Sequence, residues 1–111
     1  MNKENSVSFK GGAKRSELRP RYDLIPKVSL EALANRFTIG ANKFGDNNWK
    51  QGDETFFRET RNHLVSHLWD FLDGNETEES SIANLEAVLW NASALLWYEK
   101  VGKNKNDTKH K

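Results

Sequence analysis

The chain has 111 residues, 36% of them hydrophobic and 30% charged, with a net charge of +1 and no cysteine. That length suits one domain with one modest core, and the missing cysteines exclude disulfides and thiolate metal sites. A near-neutral total argues against a dedicated nucleic-acid binder. No apolar run resembles a signal peptide or could cross a bilayer, so a cytoplasmic protein without membrane partners is expected.

The small net charge hides a strong polarity along the chain. Residues 1–27 carry seven Lys or Arg against three acids, and residues 53–86 carry nine acids against two arginines. Residues 1–10 are polar and read as disordered. Residues 11–27 hold two adjacent glycines and two prolines, with Leu18, Tyr22, Leu24 and Ile25 as anchors. An irregular basic arm is expected there, with Tyr22 to Pro26 extended and packed onto the remainder of the chain.

Helix one should begin near Ser29, a good N-cap, with Glu31 in its first turn. Leu30, Leu33, Ala34, Phe37 and Ala41 fall at helical spacing. Phe44 extends that stripe, Gly45 fits a C-cap, and Asp46-Asn47-Asn48 forms a turn followed by Trp49. Helix two should start at Asp53 or Thr55 and run to about Leu72, burying Phe56, Phe57, Thr60, Leu64, Leu68 and Phe71, and Asp73-Gly74 ends it. Residues 74–81 read as an acidic loop that supplies caps. Helix three should span about Ser81 to Val101, with Ile82, Leu85, Val88, Leu89, Ala92, Leu95 and Leu96 buried. Gly102 then opens a basic, disordered tail over 102–111, and no segment alternates as a strand. The expected fold is all-α: a compact bundle of three main helices with an irregular basic N-terminal arm, one domain over residues 11–101. Self-association is a natural way to complete so small a core.

Several constellations bear on chemistry. Gly11-Gly12-Ala13-Lys14-Arg15-Ser16 combines glycines, which let backbone N–H groups approach an anion, with cationic and hydroxyl donors. It lacks the Walker spacing, and alone it reads as a basic arm. His63 and His67 share a helix face with Asp70 about one turn on, a set able to ligate a transition metal, bind phosphate or polarise water. Such pairs are more often packed or surface features. Glu76, Glu78, Glu79 and Glu86 cluster across the junction of helices two and three; magnesium needs only a few carboxylates, yet acidic loops usually just cap helices. Asn91, beside Trp90, needs a partner if buried. Trp49, Trp90, Trp97 and Tyr98 could stack on a base, although aromatics at helical spacing are more often core.

Gly-Ala-Lys-Arg-Ser (12–16), Arg-Tyr-Asp-Leu-Ile-Pro (21–26), Gly-Ala-Asn-Lys-Phe-Gly-Asp-Asn-Asn-Trp (40–49), Asn62-His63, His67 and Trp90-Asn91 occur in this order. In that order and spacing the chain resembles the phage and prophage dATP/dGTP diphosphohydrolases, a compact branch of the all-α, MazG-like nucleoside triphosphate pyrophosphohydrolases. The resemblance covers roughly residues 11–99. It implies an oligomeric helical bundle in the host cytoplasm, with active sites between helices and subunits. Mg2+ or Mn2+ would bind a triphosphate there, and water would release a monophosphate and pyrophosphate. It further implies that Arg15, Ser16, Arg21 and Lys43 hold phosphate, and that Asp23, Asn48, Trp49, Asn62, His63 and Asn91 complete the nucleotide site. Glu76, Glu79 and Glu86 would hold metal, with Glu79, Glu86 and His67 catalytic.

One departure from the family pattern stands out. Members carry an acidic and histidine-containing run entering the last helix, where this chain reads Ser81-Ile82-Ala83-Asn84-Leu85-Glu86. Asn84 takes the histidine position and Ala83 that of an acid. Three readings stay open: a metal-dependent pyrophosphohydrolase, a nucleotide-binding protein of the same fold that sequesters its ligand without turnover, and a helical interaction module.

Overall fold

A computed structural model describes residues 6–8, 10–16, 19–74 and 77–104. Three long helices dominate it: α1 (Lys27–Phe44), α2 (Glu54–Asp73) and α3 (Glu78–Trp97). The fold is all-α apart from one small hairpin. In that hairpin β1 (Ser6–Ser8) pairs antiparallel with β2 (Lys14–Ser16), Val7 opposite Arg15. Gly11 and Gly12 make the reversal at φ +88° and +90°, a conformation open to glycine at little steric cost. Part of the stretch expected to be disordered therefore forms a strand, and residue 10 belongs to the turn after it; residues 1–5 and 9 lie outside the described ones.

The arm differs from expectation after the hairpin as well. Tyr22–Leu24 is a single 3-10 turn, with Tyr22 64% and Leu24 70% exposed. Helix α1 starts two residues before Ser29 because the carbonyl of Pro26 accepts from the Ser29 and Leu30 amides, at 3.0 and 3.4 Å. Proline lacks an N–H but offers this carbonyl, so no side-chain cap is needed. Gly45 ends α1 as expected, its amide bonded to the Ala41 carbonyl at 2.8 Å.

Asn47, left-handed at φ 59°, turns the chain into a 3-10 segment, Asn48–Gln51. Helix α2 is capped by Asp53, which accepts from the Phe56 amide at 2.9 Å, and is closed by left-handed Gly74. Helix α3 begins three residues earlier than the sequence suggested. Thr77 caps it by accepting from the Ser80 amide at 3.2 Å, and Glu78 and Glu79 belong to its first turn rather than to a loop. Their charge there favours the helix dipole. A π-helical turn, Tyr98–Gly102, follows α3, so Gly102 is part of the helical body; residues 105–111 of the expected tail lie outside the described ones.

Phe57 stacks on Tyr98 at 4.2 Å and 12° while His67 bonds Asn84, so α2 and α3 run antiparallel. Their contact is lined by Ala87, Asn91 and Ala94, all buried, at the i, i+4, i+7 spacing of one helix face. Three of the large residues expected inside are not: Ile82, Leu85 and Leu96 are 52, 45 and 59% exposed, while Val88, Leu89 and Leu95 are half-buried. Helix α3 is apolar around most of its circumference, so periodicity could not select the packed face. Small side chains do so by letting the two backbones approach.

Trp49 is the keystone of the centre. Its ring lies 5.4 Å from Phe37 of α1, 6.5 Å from Phe57 of α2, and 6.4 and 5.1 Å from Trp90 and Trp97 of α3. One residue in a loop therefore ties all three helices together through tilted and edge-on ring contacts. Among the described residues no helix is long and apolar enough to cross a membrane.

Candidate nucleotide site

Two adjoining clefts collect many of the residues singled out from sequence. The first, about 530 Å³, is mainly apolar, with Phe37, Ile39, Phe44, Phe56, Trp49 and Trp90 among its walls. Lys43 and Asn48 stand on its rim, placed there by the last turn of α1 and the bend after Gly45. The second, about 330 Å³, is polar: Glu59, Thr60, His63 and His67 come from α2, and Ala87 and Asn91 from α3. Arg36, Phe56 and Trp90 line both. The two clefts share this wall and together offer a groove with an apolar arm and a polar arm.

The polar arm follows from helical geometry. Glu59, His63 and His67 are spaced four residues apart and so share a face of α2. Asp70, expected on that face, is exposed and does not line the cleft. His67 Nδ1 lies 2.8 Å from Asn84 Oδ1. Facing an amide oxygen, Nδ1 donates, and the bond fixes how the ring is turned. Asn91 is 6% exposed, and its Nδ2 donates to the Ala87 carbonyl at 2.8 Å, which leaves Oδ1 as the side chain's acceptor. Thr60 Oγ1 donates back to the Phe56 carbonyl at 3.0 Å. Arg36 reaches across from α1, its Nη2 donating to the Ala83 carbonyl at 3.3 Å. The indole N–H of Trp90, in the shared wall, is buried and has no acceptor among the described residues.

Other sequence candidates stand elsewhere. Arg15 and Ser16 lie on β2, and Arg15 does not line the groove. Arg21 and Asp23 face each other in the exposed turn before α1, where the guanidinium donates from Nε at 2.8 Å and Nη2 at 2.7 Å. This fork holds the Asp23 carboxyl below its ordinary value and raises Arg21 above its own. Asn62 is exposed on α2, outside the groove. Glu79 and Glu86 lie on α3 and line neither cleft, and Glu76 lies outside the described residues.

The donor set decides what metal chemistry can be derived. Among the described residues no three His, Asp or Glu side chains converge as an ion site. Glu79 and Glu86 are two turns apart, about 10 Å along the helix axis. The expected metal ligands thus do not form a closed site among the described residues.

Two groove residues had no sequence argument behind them. Nothing local in the sequence shows that the Arg36 side chain spans to α3. Glu59 read as one acid among many, although its four-residue spacing from His63 could have placed it.

No curated protein and no solved structure matches the chain. The family model described as dATP/dGTP diphosphohydrolase, N-terminal, matches residues 10–108, and the chain belongs to that family.

Proposed function

We propose that the groove binds a purine (deoxy)nucleoside triphosphate and that the protein hydrolyses it to a monophosphate and pyrophosphate. The observation that supports this most is the junction of an apolar cleft, rimmed by Lys43 and Asn48, with a polar cleft holding His63, His67 and Asn91. An apolar arm suits a base and a polar arm suits the reacting phosphates. Family membership supplies the reaction class.

In this reading water attacks the α-phosphorus while the bond to the bridging oxygen of the β-phosphate breaks. His67 Nε2 accepts the water's proton, and Asn84 fixes the ring that does so. Lys43 neutralises phosphate charge from the rim. Mg2+ or Mn2+ belongs to the proposal through the resemblance. Since the described carboxylates do not assemble an ion site, no step is assigned to the ion.

A second reading rests on a specific feature. Asn84 and Ala83 replace the histidine and acid of the family pattern, and Asn84 is committed to His67. A protein that keeps the groove but has lost turnover would sequester its nucleotide. Binding and turnover measured separately distinguish the two. A nucleotide-dependent rise in melting temperature with conversion supports the enzyme, and the same rise with intact nucleotide supports sequestration.

We also propose a homo-oligomer. Among the described residues Phe57 is the one large apolar side chain that is buried, whereas Val65, Leu68, Trp69 and Leu72 of α2 and Ile82 and Leu85 of α3 are 37–69% exposed. Apolar surface on that scale at one end of a helical hairpin suits a second copy.

A further inference from the structure

We propose that Arg36 is the polyphosphate-binding residue of the groove and fixes the direction in which a nucleotide lies. This rests on the reading of the groove as a nucleotide site. Arg36 lines both clefts, while Lys43 lines only the apolar one. One N–H of its guanidinium is tied to the Ala83 carbonyl at 3.3 Å, which holds the side chain across the gap between α1 and α3. A guanidinium has five N–H donors in a planar fork, so this tether leaves donors for a phosphate. The surrounding rings of Phe37, Phe56 and Trp90 lower the local polarity, which strengthens a charge-assisted bond. Among the described residues Glu59 is the only acid lining the polar cleft, beside Arg36, His63 and His67.

The consequence is an orientation. The base occupies the apolar arm against Phe44 and Ile39, the phosphates pass Arg36, and the reacting phosphorus reaches the imidazoles. Arg15 and Arg21, on the hairpin and in the exposed turn, are secondary to it.

The test compares three probes by calorimetry on wild type and variants: dGTP, deoxyguanosine and inorganic pyrophosphate. Arg36→Gln removes the charge yet keeps an amide able to reach the Ala83 carbonyl, and Arg36→Lys keeps the charge without the fork. Arg36→Gln should weaken dGTP and pyrophosphate by about tenfold or more, the scale of one charged hydrogen bond, and leave deoxyguanosine unchanged. Arg36→Lys should fall between. Phe44→Ala, at an exposed wall of the apolar arm, should weaken dGTP and deoxyguanosine alike. Equal losses for all three probes in Arg36→Gln, or no loss for any, would overturn the assignment. Failure of wild type to bind any probe would instead remove the nucleotide reading on which it rests.

Discussion

His67 Nδ1 sits 2.8 Å from Asn84 Oδ1, a bond that joins α2 to α3 and fixes the orientation of an imidazole lining the polar cleft. Asn84 thus holds His67 in place and carries a structural task in this chain.

That pairing is open to a double-mutant cycle. Asn84→Ala should lower turnover about 10- to 100-fold, the usual effect of losing a residue that orients a functional imidazole. His67→Ala should lower it further, and the double variant should match His67→Ala alone. Stability losses for the pair should be non-additive by about 0.5–1.5 kcal/mol in urea titrations. Additive effects in both readouts would show that the bond orients nothing.

Trp49 should behave as a fold residue first. Its ring meets Phe37, Phe57, Trp90 and Trp97, so Trp49→Ala should cost about 3–5 kcal/mol. The melting temperature should fall strongly without any ligand present. A variant of normal stability that had only lost nucleotide affinity would contradict the packing role.

Gly102 offers a sharper test of packing. A Cβ placed there would lie 2.5 Å from Trp97 Cζ3 and 2.9 Å from Cη2, and Trp97 in turn packs on Trp49 at 5.1 Å. Gly102→Ala should destabilise by about 1–3 kcal/mol through overpacking, despite the better helix propensity of alanine. A gain in stability would show that the π-helical turn gives way at little cost.

The Arg21–Asp23 fork predicts a pH signature. Arg21 lowers the Asp23 carboxyl below its ordinary value, 3.8. A depressed carboxylate contributes stability above its unfolded value, and that contribution is lost as pH falls through the folded one. Both groups are exposed, so the effect on folding is small. NMR titration is the better readout: the Asp23 carboxyl should titrate below 3.8 and move up in Arg21→Ala. No movement would dissociate the pair in solution.

Self-association should depend on the α2 face. Light scattering should give a mass above that of one chain, and Trp69→Glu with Leu72→Glu should reduce it to a monomer. Both positions are exposed, at 69 and 62%, so the substitutions should leave the helix formed. A monomeric wild type would contradict the oligomer.

The helices were legible because their punctuation is local: Asp53 and Gly74 bound α2, and Gly45 ends α1, as the residue types require. Starts set by less obvious partners were not, since Pro26 contributes a carbonyl and Thr77 caps a run that read as loop. Of the candidate site, Lys43, Asn48, Trp49, His63, His67 and Asn91 meet in one groove. Arg36 could not be foreseen, because its place depends on a long side chain spanning two helices distant in sequence. The role of Asn84 likewise depends on the register between α2 and α3, which no local pattern encodes.

The most direct test is product chromatography after incubating the purified chain with each dNTP and NTP, with Mg2+ or Mn2+ and with chelator, beside His67→Ala. The account predicts conversion of dATP or dGTP to the monophosphate and pyrophosphate by wild type, and loss of that conversion in His67→Ala. Intact nucleotides with no rise in melting temperature would contradict it.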